Sequence, residues 1–522
     1  MLFSRVIISC KCLDLEGIMA FEENNFYVAK KYGLAKSDFT VECNVSAGAN
    51  VLKVLSLSID GCVQSLETLN GVLNYSAVVD IKIVFLTDDG QINTVCYACP
   101  FSSKFESEEI TTGASACIDL KVMDYNIDSI NGDNIKISVM LQQSGFIVCN
   151  KEIKTIRNDD DNVCCKEDEI SIIRYIGSAS ENIEVASEIN FRDKVKKLIL
   201  TESKTLVKSV EAGVNFVTIS GDVVLRVLYL NDNDKFENGY VYDSFKQEVE
   251  LDGVTRESLV EGNAYVAQNS VTTEIVEDEK GSRIVVKVPI SINVRAFQDE
   301  KLSVIKDLYS IKNEINVTTE SFEMSNICPM EHVEGKIEGN LTLEDDKPRV
   351  DKILFNGGNN VCVTNSYIKD GEIFVEGIAK TTVVYLNDED NSLYSAQIDV
   401  PFVISDKADY QEGGIMVVDA IVCDVDVAVK KGRDLFYDAK VKACVCYCVD
   451  QSSAVITEAV NGENYPEKDY AMEVVFASAN EELWEIAKKT RVKGEQILTQ
   501  NPEILFPLAE DTSLILFYQK VN

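Results

Sequence analysis

Apolar and polar positions alternate with a period of two along most of the chain, and the alternation comes in three copies. The runs AVVDIKIVFLTDD, GDVVLRVLYLNDN and GIAKTTVVYLNDE begin at Ala77, Gly221 and Gly377. Val79, Ile81, Ile83 and Phe85 fall on one face of the first run. Val223, Leu225, Val227 and Tyr229 match them in the second, and Ala379, Thr381, Val383 and Tyr385 in the third. β-Branched and aromatic residues at this period predict a strand packed on one side. On the opposite face, Lys82, Arg226 and Thr382 share one polar position. Polar turns follow (Asp88 to Gly90, Asn231 to Asp234, Asn387 to Asn391), and each leads into a second extended run. Each copy therefore predicts a β-hairpin.

The repeat reaches beyond the hairpin. Upstream lie VLK, VKK and VDK steps headed by Val51, Val195 and Val350; downstream lie Phe101, Phe245 and Phe402. Gly132, Gly281 and Gly432 then interrupt a later pair of strand-like runs. Landmarks in one order three times over mark an internal repeat, and each copy is long enough to bury its own core. The copies are placed at 1–155, 170–312 and 325–460. The acidic run Asp159 to Asp161 reads as solvated linker, and Gly462 to Pro466 hands over to a last domain at 470–522.

That last domain changes period. MEVVFAS, from Met472, predicts a short strand, and Ser478 with Glu481 forms a capping box. Leu483, Ile486 and Ala487 then make the buried stripe of a first helix. GEQILTQ, Gly494 to Gln500, predicts a second helix stopped before Pro502, and a strand begins at Thr512. The fold class expected is mainly β with a small α+β tail: tandem β-rich domains followed by a βααβ unit.

Composition narrows the function. A formal charge of −36 over 522 residues excludes nucleic acid as a partner, because phosphates would be repelled. No stretch reaches the roughly 20 apolar residues of a membrane span, so no direct membrane insertion is expected. The opening residues lack the uninterrupted apolar run of a signal peptide, and Met19 offers an alternative start that would leave the first 18 residues non-native. The sixteen cysteines read as reduced, buried thiols. Cys444, Cys446 and Cys448 share one strand face, a sulfur-rich core face, whereas Cys96 and Cys99 lie on opposite faces. His332 is the sole histidine, and neither a metal site, a cofactor nor a catalytic constellation is expected.

The repeat size, the VxK and VYLND steps, and Pro100-Phe101 and Pro401-Phe402 after the hairpins resemble the SPOCS domain of sporulation proteins; the second copy has Ser244-Phe245 instead. The tail, with Leu483-Trp484 and Asn501-Pro502, resembles a LysM domain. Three SPOCS-like units before a LysM-like tail is the layout of the SipL-like spore morphogenesis proteins of clostridia. The resemblance implies a non-catalytic spore coat adaptor. Its tail would bind stage IV sporulation protein A, the coat ATPase, with other coat morphogenetic proteins as further partners. Its place would be the mother-cell cytoplasm, at the outer forespore membrane, not outside the cell.

A typical LysM carries a Gly-Asp-Thr step in the loop lining its glycan groove, where this chain has Asn480, Glu481 and Glu482. That change disfavours peptidoglycan, the alternative ligand, and leaves protein binding open. The candidate protein-binding set is Trp484, Met472, Leu483, Glu481, Asn501, Pro502 and Ile504. Two roles fit Trp484, an interface anchor or a filler of the small core.

Overall fold

The computed structural model describes residues 21–278, 281–408 and 414–518, and within them the chain is mainly β. The alternative start at Met19 lies outside these residues.

The first repeat comprises β1 (Glu22–Ser46), β2 (Val51–Leu69), β3 (Val72–Thr87), β4 (Ile92–Glu106), β5 (Ser115–Asn131) and β6 (Asn134–Arg157). The second comprises β7 (Val163–Phe191), β8 (Val195–Ala212), β9 (Phe216–Asn231), β10 (Phe236–Glu250), β11 (Leu259–Val266), β12 (Thr272–Asp278) and β13 (Gly281–Ser310). The third comprises β14 (Asn313–Ile327), β15 (Glu331–Thr342), β16 (Val350–Lys369), β17 (Glu372–Asn387), β18 (Leu393–Lys407), β19 (Ile415–Lys431) and β20 (Asp434–Asn464). Two sheets build each repeat. One is the antiparallel trio β2–β3–β4, β8–β9–β10 or β16–β17–β18; the other is centred on β6, β13 or β20.

The apolar stripe read from the sequence fills the space between the two sheets. Val79, Ile81, Ile83 and Phe85 pack on Ile135, Ile137, Val139 and Leu141 of β6. The second and third repeats close in the same way around Leu225 and Val383. Gly90, Asp234 and Asn391 take left-handed backbone at the hairpin tips, which explains the polar turn residues there.

The strand expected to pack on one side is buried on both. Val84, Leu228 and Val384, on the outer face of the central strands, meet in one cluster with Leu55, Leu200 and Phe355. The repeats thus close around a shared seam. Polar seam positions reach across it to carbonyl groups: Lys82 Nζ donates to Thr201 O at 2.6 Å, and Arg226 Nη2 to Asn356 O at 2.5 Å. Lys380 Nζ completes the circuit from the third repeat to the first through Met123 O at 2.6 Å. The lysine of the VxK step works the same way. Lys197 donates to Ile92 O at 2.7 Å and Lys53 to Leu393 O at 3.4 Å, each in a neighbouring repeat. Lys82 and Arg226 look solvent-facing in the sequence because a seam needs donors for the neighbour's unpaired carbonyls.

The cysteine stripe is also displaced from its expected place. Ala443, Val445 and Tyr447 point into the third core, while Cys444 packs on Leu206, Val224 and Ile421 in the seam. Where the three repeats meet, a cavity of about 220 Å³ is lined by Asp60, Asp119, Lys121, Lys204, Asn360 and Asp419. Lys204 pairs with Asp60 at 2.6 Å. Asp419 is open to this cavity but enclosed by the lobes; burial, with Asp119 nearby, pushes its carboxyl up to about 7.

Beyond the lobes, the outer halves of the long strands pair as three two-stranded ribbons: Glu22–Leu34 with Gly145–Arg157, Val163–Tyr175 with Phe297–Ser310, and Asn313–Ile327 with Cys448–Asn464. Phe26, Val28, Ile172, Val304, Phe322 and Val455 hold the ribbons together as a stem. The connections between repeats are short, and the acidic run Asp159 to Asp161 lies in the first of them. Strands run through both boundary segments, leaving residues 158–162 and 311–312 as turns. Asp160 is spent inside the first turn, where its carboxylate accepts from the Asn162 amide at 2.9 Å. At the junction of stem and lobes, buried Lys31 pairs with Glu261 of the second repeat at 2.7 Å.

Candidate docking surface on the tail module

The tail follows as β21 (Met472–Ala477), α1 (Leu483–Thr490), α2 (Gly494–Gln500) and β22 (Thr512–Phe517), with β21 and β22 antiparallel. Both helices pack on one face of this small sheet. Ile486, Ala487 and Ile497 meet Val475, Leu514 and Leu516 there, so the predicted helical stripe is the core. The capping box is half made: Glu481 accepts the Ser478 amide at 2.9 Å, and the helix itself begins later, at Leu483.

The seven sequence-predicted residues separate into four places. Trp484 faces the stem. Its indole Nε1 donates to Asp307 Oδ2 at 2.8 Å, and its ring meets Tyr309 edge-on with centroids 5.1 Å apart. Lys488 Nζ pairs with the same carboxylate at 2.6 Å, and Tyr309 donates its hydroxyl to Val492 O at 2.7 Å. Burial opposes ionisation of Asp307, but the Lys488 and Trp484 donors hold its carboxyl below the usual carboxylate range. Trp484 is half-buried against the tail core beside Leu483 and at the same time reaches the stem, so it also ties the tail to the chain's own stem.

Leu483, Ile504 and Asn501 belong to the interior. Leu483 and Ile504 are half-buried against the tail core. The Asn501 side chain donates to Ile497 O and Ile515 O, both at 3.0 Å, and accepts the Ile515 amide at 2.9 Å. Gln500 Nε2 donates to Phe517 O at 3.0 Å and Gln500 Oε1 accepts the Phe517 amide at 2.9 Å. Together these two side chains occupy the outer edge of β22. Glu481 and exposed Pro502 flank the loops.

Met472 stands apart, on the sheet face turned away from the helices. Val474, Phe476, Ile515 and Phe517 share that face; all five side chains are exposed, Phe476 to 76%. Sequence reasoning took only Met472 from this patch. The signal was present in MEVVFAS, where Met472, Val474 and Phe476 form one alternate set and Val475 and Ala477, with Glu473, form the other, so one apolar set had to face outward. A contiguous exposed apolar face is a candidate interaction surface.

Among the described residues, no group of three or more histidine, cysteine or acidic side chains could hold a metal ion, and no helix is long and apolar enough to cross a membrane. His332 bridges repeats, its Nε2 lying 2.8 Å from Lys208 O. No family model, curated protein or solved structure matches the chain.

Proposed function

We propose that this chain is a non-catalytic adaptor of spore coat morphogenesis, with three SPOCS-like units and a LysM-like tail. Its tail docks another polypeptide, and the resemblance points to stage IV sporulation protein A, the coat ATPase. It acts in the mother-cell cytoplasm, helping to bring the coat onto the forespore surface. One observation carries this reading. The tail is tied to the stem through Trp484 and turns an apolar face of five side chains outward. A fixed module with an exposed apolar face is suited to holding a partner against a rigid body.

Peptidoglycan is the poorer ligand. Glu481 and Glu482 stand in the loop where a LysM has a small glycine, and Asn501 is committed to backbone bonds inside the module. The test is capture of the purified coat ATPase by the full chain and by a form ending at Tyr465. Loss of capture in the shortened form supports the adaptor. Undiminished capture removes the tail from the mechanism, and saturable binding of the full chain to insoluble murein favours the wall reading.

A further inference from the structure

The two strands of the tail sheet have edges of different character. Ile515 and Phe517 of β22 turn their amide and carbonyl groups to Asn501 and Gln500, away from β21. The ladder to β21 is therefore made by the alternate residues, Leu514 and Leu516, opposite Val475 and Glu473. Met472 and Val474, opposite Phe517 and Ile515, and Phe476, opposite Ser513, then direct their own backbone groups to the outer edge of β21. Among the described residues no strand pairs with that edge. The side chains of the same three residues form three of the five on the exposed apolar face. One edge is closed by amide side chains and the other is open beside an apolar surface.

We propose that the outer edge of β21 takes an extended segment of another polypeptide as a third strand. The segment has apolar side chains at alternate positions and basic residues at its ends. This inference rests on the adaptor reading and adds the form in which the partner is held. Main-chain bonds to Met472, Val474 and Phe476 supply the affinity, and packing beside Phe476 and Val474 selects the apolar positions. Exposed Glu467 and Asp469 lie before β21, and exposed Glu510 and Asp511 lie near its other end, which calls for basic flanks.

A second copy of the chain does not fit this site. Each copy carries a formal charge of −36, so like-charged surfaces would meet. The face of two six-residue strands measures roughly 20 Å by 10 Å, about 200 Å², against about 800 Å² per partner in a standard interface. An added strand escapes the area limit because it also gains ladder hydrogen bonds.

The probe is a fluorescent peptide of alternating valine and threonine between paired lysines, titrated against the full chain. Val474→Pro removes one outward amide and no ladder bond, since that amide points away from β22. Val474→Thr keeps the amide and trims the apolar surface. Met472→Pro repeats the test at the strand's first residue, where proline is best tolerated. Emission from Trp484, the only tryptophan, reports whether each variant keeps the tail folded and docked. The expected result is saturable binding by wild type, a loss of at least about tenfold in the folded proline variants, and about threefold or less in Val474→Thr. Wild-type affinity unchanged in folded Val474→Pro or Met472→Pro overturns the proposal, as does no binding up to about 1 mM peptide. Capture of the coat ATPase is scored separately. Peptide binding without ATPase capture sinks the adaptor reading alone, and ATPase capture indifferent to both proline variants sinks the open edge alone.

Discussion

Asp307 receives two donors from the tail, so replacing it by asparagine weakens both bonds at once. Charge-assisted bonds are worth more than neutral ones, but this site is partly open to water, and the loss of docking is about 1 kcal/mol. The sign of the pH dependence follows from the lowered carboxyl. The contribution is complete above the unfolded value of about 3.9 and disappears as pH falls through the lower folded value. Trp484 emission in the wild type should therefore hold steady down to about pH 4 and shift below it, whereas Asp307→Asn should show the shifted emission at neutral pH. At the other end of the stem, Glu261→Gln leaves Lys31 buried without its counter-charge. A loss of about 3 kcal/mol in denaturant unfolding is expected, and the joint change Lys31→Met with Glu261→Leu should recover most of it. None of these pairs was legible in the sequence. Trp484 and Asp307 are 177 positions apart, and neither lies in a motif that names the other.

At the scale of elements, the hairpins of the repeat could be read because a strand with one apolar face writes period two into the chain. What that pattern cannot distinguish is water from a neighbouring lobe. Lys82 and Arg226 are polar for a reason the alternation hides, namely carbonyl groups of the next repeat. Leu228 tests the seam directly, since its side chain clusters across the seam and is not part of its own inter-sheet core. Leu228→Ala should cost about 2 to 5 kcal/mol in thermal or denaturant unfolding, the range of a core position, and a cost near zero would contradict the seam. Asp419 supplies a pH test of the same region. Its folded value of about 7 lies above the unfolded value of about 3.9, so the folded chain holds the proton more tightly. Stability contributed at this site falls as pH rises from about 4 to about 7 and is level beyond. Asp419→Asn should remove that slope and raise the melting temperature at pH 8 relative to wild type. In the tail, both helices and both strands were legible from capping and period, but the outward face was not, because the one charged residue of the six-residue strand, Glu473, falls in the helix-facing set and no polar side chain marks the outer one.

Over the whole molecule, lobes, stem and tail make one body whose parts depend on one another. Chain crossings between repeats are short turns at the stem, and the seam joins the lobes at their centre. A single repeat cut out at residues 22–157 would expose Leu55, Val84 and the stem face of Phe26 and Val28, so it should aggregate or remain unfolded where the full chain shows one cooperative transition. The central claim is that Trp484 is committed to the stem while the opposite face of the tail meets the partner. Hydrogen exchange of the full chain with and without the coat ATPase tests it most directly. The account predicts new protection over residues 472–477 and unchanged exchange over 483–490; protection gained at 483–490 with none at 472–477 would contradict it.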